Sequence, residues 1–285
     1  MKKAIKRLAI YLIAAVGPAV PTPTLRRWLW TRVTPRLLDT AVTKPGYRAR
    51  KMRRVPVVVP CDPYVYTQAN NYWCGRFFEE DLERYLLRTV SRGDTVIDIG
   101  MNVGQVALPA AALVGPEGKV IAFEPNPDLA RLVAKFAAEQ GLTQLSIRNV
   151  GLSDQSATMT LRVSIRETGL ASFRGTADRQ PSGEEFVCDV RVGDEELAGL
   201  ALPGRVFLKM DVEGFELHAL RGLSRFLAKV HHAVIEVSPE WIDANELFAF
   251  MRRAGFVPRR LTKSGLPGDE IGPVTSQANV LFVKP

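Results

Sequence analysis

The chain has 285 residues, enough for one large domain or one domain with an appended arm, and its 46% hydrophobic content excludes a disordered polyelectrolyte. Three cysteines, Cys61, Cys74 and Cys188, form no C-x-x-C pair, which argues against a disulfide framework or a zinc cluster and for a reducing, cytoplasmic setting. Net charge is +8, but residues 1–60 hold fourteen Lys/Arg against one acid, Asp39, while residues 61–285 are net acidic. A strongly basic arm on an acidic body points to an anionic surface as the arm's partner.

In chain order, the arm (1–60) begins Met1-Lys-Lys-Ala-Ile-Lys-Arg7 and continues into the apolar run Leu8 to Val16. That run is far short of the ~20 apolar residues a membrane-spanning helix needs, and Gly17-Pro18 ends it. Leu25, Trp28 and Leu29 recur at helical spacing among Arg26, Arg27 and Arg32, a mixture suited to lipid headgroups. Two readings stay open: peripheral contact of residues 1–36 with the inner face of a membrane, or packing of a helical extension on the body. Stacking aromatics do not interleave with these charges in a recognisable module, so no nucleic-acid partner is expected.

The body, 61–285, alternates strands with helices. Val55 to Pro60 reads as an edge strand and Gly75 to Val90 as a helix with Phe77, Phe78, Leu82, Tyr85 and Leu86 along one side. Asp94 to Ile99 is a strand, Gly104 to Val114 a helix, Lys119 to Glu124 a strand, Asp128 to Gln140 a helix and Leu145 to Asn149 a strand. Residues 157–192 change to two β-like stretches around a polar segment, read as an inserted hairpin or lid. The alternation then resumes with Arg205 to Met210 (strand), Glu213 to Lys229 (helix), Ala233 to Val237 (strand) and Glu246 to Ala254 (helix). Gly255 to Leu261 and Asn279 to Lys284 close the sheet as a terminal pair. This order predicts an α/β fold: a mostly parallel sheet, right-handed crossovers, helices on both faces and an antiparallel terminal strand.

Ligands of open α/β sheets sit at the carboxyl ends of the strands. The first such end is Asp98-x-Gly100-x-x-x-Gly104, not the G-x-G-x-x-G of a dinucleotide site. A carboxylate two residues before the first glycine repels a pyrophosphate but pairs with an ammonium group, favouring S-adenosylmethionine over NAD. Glu124, 26 residues on, is placed to accept both hydroxyls of a ribose. Asp154 is either a turn residue or an acceptor from an adenine amino group. Lys209-x-Asp211-x-Glu213 is either an internal ion pair with a helix-start charge or part of a site. Glu236, closing an apolar strand, needs a partner. His218, His231 and His232 are expected on a helix face and in a turn.

Four segments, in order, resemble the FkbM family of S-adenosylmethionine-dependent methyltransferases over about residues 75–285. They are Val96-Ile-Asp98-Ile-Gly100-Met-Asn102-Val-Gly104, Ala122-Phe-Glu124-Pro-Asn126-Pro127, Asn149-Val-Gly-Leu-Ser153-Asp154 and Leu208-Lys209-Met-Asp211-Val-Glu213-Gly214-Phe-Glu216. The resemblance implies a class I methyltransferase (Rossmann-like) fold and methyl transfer to a hydroxyl of a sugar, glycan, glycolipid or polyketide. It assigns the cofactor to Asp98, Gly100, Asn102, Gly104, Glu124, Asn126, Ser153 and Asp154. An aliphatic hydroxyl calls for a general base, with Asp211 the first candidate and Glu236 the second; Lys209 orients Asp211 or the acceptor. No metal is required. Met101 stands where the family usually has alanine, and Pro109 is expected to kink its helix. Two alternatives from other classes are a non-catalytic cofactor-binding scaffold and a nicotinamide-dependent oxidoreductase.

Overall fold

The computed structural model describes residues 46–63, 65, 67–68, 71–72, 75–164, 173 and 183–285. The basic segment 1–36 and most of the stretch between the two expected lid strands lie outside the described residues.

The main sheet has eight strands. Five run parallel: β5 (Leu145–Arg148), β4 (Lys119–Phe123), β3 (Thr95–Ile99), β9 (Val206–Met210) and β10 (His232–Val237). Then β13 (Ala278–Val283) inserts antiparallel between β10 and β11 (Val257–Leu261), and β12 (Pro267–Glu270) pairs antiparallel at the edge. The expected antiparallel terminal strand is therefore present, together with one more edge strand, β12, that its Pro-Gly-Asp-Glu sequence conceals.

Period-two side-chain alternation divides the sheet into two buried faces. Val96, Val120, Ala122, Phe207 and Val234 pack on α1 (Glu80–Thr89), α2 (Ala107–Val114) and α3 (Pro127–Glu139). Ile97, Ile99, Ile121, Leu208, Met210 and Ile235 pack on α5 (Glu216–Gly222) and α6 (Ala244–Arg253). Helices thus cover both faces, as expected. The order reverses beside β3, whose neighbours are β4 on one side and β9 on the other. A crevice opens at such a switch point, at the strands' carboxyl ends.

Local departures from the sequence reading have identifiable causes. The strand expected at Val55 to Pro60 forms as β2 (Val58–Cys61), and it pairs with β1 (Arg48–Lys51) instead of joining the main sheet. Gln140, at the end of α3, accepts from Val58 N at 2.6 Å and donates to Val58 O at 2.8 Å, occupying that strand's main-chain groups. The long helix expected from Glu213 to Lys229 breaks into α5 and a 3₁₀ turn, Phe226–Lys229. Asp194, in the short helix α4 (Gly193–Glu196), accepts from Arg225 N and Phe226 N and so caps a second start. Pro109 lies in the first turn of α2, where a proline ring is tolerated, between the hydrogen bonds from Leu108 N to Gly104 O and from Ala110 N to Val106 O. Met101 points into the apolar face with Val106 and Leu108.

The inserted region contributes β7 (Ala157–Ser164) and β8 (Gly183–Val192), an antiparallel pair that β6 (Gly151–Ser153) extends as a parallel third strand. Among the described residues, no helix is long and apolar enough to cross a membrane.

Candidate active site

A cavity of about 660 Å³ opens at the carboxyl ends of β3, β4, β9 and β10. Its floor is the turn after β3. Gly100 adopts φ +79°, and a Cβ there would lie 1.8 Å from the Asp211 carbonyl oxygen, so only glycine lets this turn seat against the end of β9. Gly104 is similarly confined: a Cβ would meet Val133 at 2.8 Å. Asn102 takes a left-handed conformation, φ 51°, which aims its N–H back at β4.

Glu124 receives that N–H. Its Oε2 accepts from Asn102 N at 2.7 Å and its Oε1 from Asn126 N at 2.9 Å. Burial pushes its carboxyl up to about 7, against the opposing pull of these two N–H donors. Glu124 lines the cavity, with a second acceptor direction left on each oxygen. Asn126 is 4% exposed and caps α3, accepting from Asp128 N and Leu129 N; it does not line the cavity.

Asp98 sits elsewhere than the sequence reading put it. It is fully buried on the α1–α2 face and does not line the cavity. Lys209, its register partner on β9, holds its ammonium 3.6 Å from Asp98 Oδ1, 3.7 Å from Asp211 Oδ2 and 2.9 Å from the Gly100 carbonyl it donates to. Burial raises the Asp98 carboxyl and Lys209 opposes that rise. Burial by itself would lower the Lys209 ammonium, but Asp211, Asp98, Glu79 and Glu236 outweigh it and hold the lysine charged. The Asp98–Lys209 pair therefore fastens the glycine turn from beneath.

One end of the cavity is apolar. Val150, Leu152, Leu161, Phe173 and Phe215 form it, with Phe173 and Phe215 ring centroids 5.4 Å apart. Ser153 and Asp154 lie just beyond it and do not line it. Ser153 donates to Asp154 Oδ1, which is also 3.2 Å from His218 Nδ1; burial raises the Asp154 carboxyl, but the His218, Ser153 and backbone N–H contacts together outweigh it and lower the carboxyl. His218 stacks on Phe215 at 4.6 Å, so this histidine buttresses the apolar end from outside.

The other end is acidic. Asp211, Glu213 and Glu236 bring one carboxylate oxygen each within 4.8 Å of one another, an arrangement also suited to a cation. Burial, then Asp211, pushes Glu236 up to about 9; burial, then Asp211 and Glu236, pushes Glu213 up to about 10. Both carboxyls therefore hold a proton more tightly than an ordinary side-chain acid. Asp211 Oδ1 is buried with no hydrogen-bond partner among the described residues. Glu216, 2% exposed, accepts from Val212 N and Gly214 N and shapes the turn that carries Glu213.

Of the expected site residues, the cavity thus gathers Gly100, Asn102, Glu124, Lys209, Asp211 and Glu236. Asp98, Gly104, Asn126, Ser153 and Asp154 support its walls without lining them. Sequence reasoning missed Phe173, Phe215, Glu79, Gln277 and Asn279. Phe215 was visible beside Glu213-Gly214. Glu79 heads an acidic run that reads as an ordinary helix start.

The doubly wound sheet and its strand-end crevice define the class I methyltransferase architecture. Residues 98–258 match the family model described as "Methyltransferase FkbM domain", and the chain belongs to that family. Among curated proteins it is similar to the hexuronic acid methyltransferase AglP of Haloferax volcanii, 29% identical over 159 residues, covering 56% of this chain and 62% of that one. Among solved structures it is similar to the methyltransferase FkbM of Methylobacillus flagellatus, with 16% identity, TM-score 0.44 and coverage of 76% of this chain and 53% of that one. It is also similar to a methyltransferase of Streptococcus mutans solved with S-adenosylhomocysteine, with 11% identity, TM-score 0.43 and coverage of 73% and 98%. The chain thus spans less than two thirds of the length of the first two relatives.

Proposed function

We propose that this protein is an S-adenosylmethionine-dependent O-methyltransferase acting on a hydroxyl of a sugar or glycan. The observation that carries the reading is one cavity with Glu124 beside a glycine turn and Asp211 beside the same turn. The residues present fit the cofactor. The Gly100 cradle admits close approach because no Cβ fills it, Glu124 keeps acceptor directions for ribose hydroxyls, and the apolar end suits an adenine ring. When bound, the cofactor supplies an electrophilic methyl group.

The chain's residues do the remainder. Asp211 Oδ1 is the buried acceptor for the hydroxyl proton, while Lys209 steadies Oδ2 by charge. Glu236, held protonated, is a poor base at neutral pH but a good hydrogen-bond donor, so it orients the acceptor. Phe173 and Phe215 exclude water from the apolar end. The name of the Haloferax volcanii relative favours a sugar among hydroxyl acceptors.

Isothermal calorimetry with S-adenosylhomocysteine, together with mass spectrometry of glycans incubated with protein and S-adenosylmethionine, tests the reading. Binding and a one-methyl mass increment are expected. Binding without transfer would support the scaffold alternative, and absence of binding would overturn the assignment. We further propose that the basic arm, residues 1–36, attaches to anionic lipid, on the strength of its charge. Full-length protein should float with phosphatidylserine vesicles and a chain beginning at Gly46 should not; equal flotation would refute the attachment.

A further inference from the structure

The matched family span ends at residues 98 and 258, yet the acidic end of the cavity is completed by residues on either side of it. Glu79 immediately precedes α1 and lines the cavity. Its Oε1 accepts a hydrogen bond from Asn279 Nδ2, on β13. Asn279 stands opposite Glu236 in the antiparallel β10–β13 register. Gln277, two residues earlier, also lines the cavity, and its side chain pulls against the rise of the Glu236 carboxyl. Two carboxyl groups and two amides therefore line one wall of the cavity that Asp211 also lines, with Glu79 and Asn279 joined directly.

We propose that Glu79, Gln277 and Asn279 are the acceptor-recognition residues of this enzyme, binding a sugar ring through the hydroxyl groups beside the one methylated. The inference rests on the methyltransferase reading above.

The chemistry of the wall fits that ligand. After the Asn279 donation, both amide carbonyls and the second Glu79 oxygen remain as acceptors, and the Gln277 N–H and the protonated Glu236 carboxyl as donors, spaced along a strand end and a helix start. A polyhydroxylated ring offers hydroxyl donors at several carbons, and a wall of paired acids and amides takes several at once. A site built to hydrogen-bond hydroxyls discriminates strongly against ligands lacking them, because its polar groups would be left buried and unpaired. Burial pushes Glu79 up to about 7, with Asp211 adding to the rise, so near neutrality this side chain both donates and accepts. The placement also separates duties. The donor turn, Asp211 and Glu236 lie inside the family span, while Glu79, Gln277 and Asn279 lie outside it.

The test uses the full-length protein and a panel of p-nitrophenyl glycosides of glucose, galactose, mannose, rhamnose, xylose and glucuronic acid. Wild type should methylate at least one. Glu79→Gln and Asn279→Ala should each raise KM for that glycoside by about tenfold or more while kcat changes less than about threefold. Affinity for S-adenosylhomocysteine should stay within about twofold, the mark of a residue outside the donor site. If thermal melting shows Glu79→Gln to be unfolded, Asn279→Ala and Gln277→Ala carry the measurement. Unchanged KM in the folded variants, or a parallel loss of S-adenosylhomocysteine binding, would overturn the proposal. So would a wild type that binds S-adenosylhomocysteine but methylates no glycoside. A wild type that does not bind S-adenosylhomocysteine would instead remove the methyltransferase reading itself.

Discussion

Asp98 and Lys209 are register partners on neighbouring parallel strands, and the lysine ammonium lies 3.6 Å from the aspartate, within hydrogen-bond reach of the Gly100 carbonyl. The pair is buried, with side-chain exposures of 0% and 11%. Removing one partner of such a pair strands the other charge. Lys209→Met should therefore lower unfolding free energy by about 3–5 kcal/mol in urea denaturation. Asp98→Asn should cost less, because Lys209 keeps Asp211 and the Gly100 carbonyl. A Lys209→Met protein as stable as wild type would show that this pair does not anchor the turn.

Glu124 should govern donor binding directly. Glu124→Ala removes a carboxylate that both orients Asn102 and faces the cavity. Loss of hydrogen bonds to a charged group is worth about 1.5–3 kcal/mol, so affinity for S-adenosylhomocysteine should fall roughly 10- to 100-fold in calorimetry. Retained affinity would move the ribose site elsewhere.

Asp211→Asn keeps the size of the side chain and removes its basicity. Turnover should drop by about 10²–10⁴-fold with donor affinity largely kept. A variant with wild-type kcat would pass the role to another group.

Glu236 predicts how stability responds to pH. Its carboxyl is about 9 when folded and has its ordinary value of 4.5 when the chain unfolds. Between those limits the folded state keeps a proton that the unfolded state has released. Its contribution to stability is therefore lost as pH rises through the window from roughly 4.5 to 9, and it levels off above. Glu236→Gln deletes this dependence, so melting temperatures of that variant should fall less steeply than wild type between pH 6 and 9. Parallel curves would show that Glu236 ionises freely in the folded protein.

Much of the architecture was legible in the sequence because strands buried on both faces read as apolar runs: Val96 to Ile99, Val120 to Phe123 and Ala233 to Val237. The strand-end residues followed from topology, since a doubly wound sheet has one crevice. Three kinds of information were hidden. The inward or outward direction of Asp98 depends on its pairing with Lys209, a contact 111 residues away in sequence that alternation by itself cannot supply. Asn126 and Ser153 belong to readable motifs, yet their side chains are used locally, as a cap and as a donor to Asp154. The Glu79–Asn279 hydrogen bond joins residues 200 apart, and neither carries a local signal beyond a helix-start acid and a strand amide.

The contact between Gly100 and the Asp211 carbonyl has a mechanical consequence. Because main chain meets main chain with no side chain between, the ledge proposed to seat the donor and the ledge proposed to carry the base share one rigid joint. Neither can slide without prying open the other, so in the proposed reading the spacing between donor seat and base is machined into the backbone.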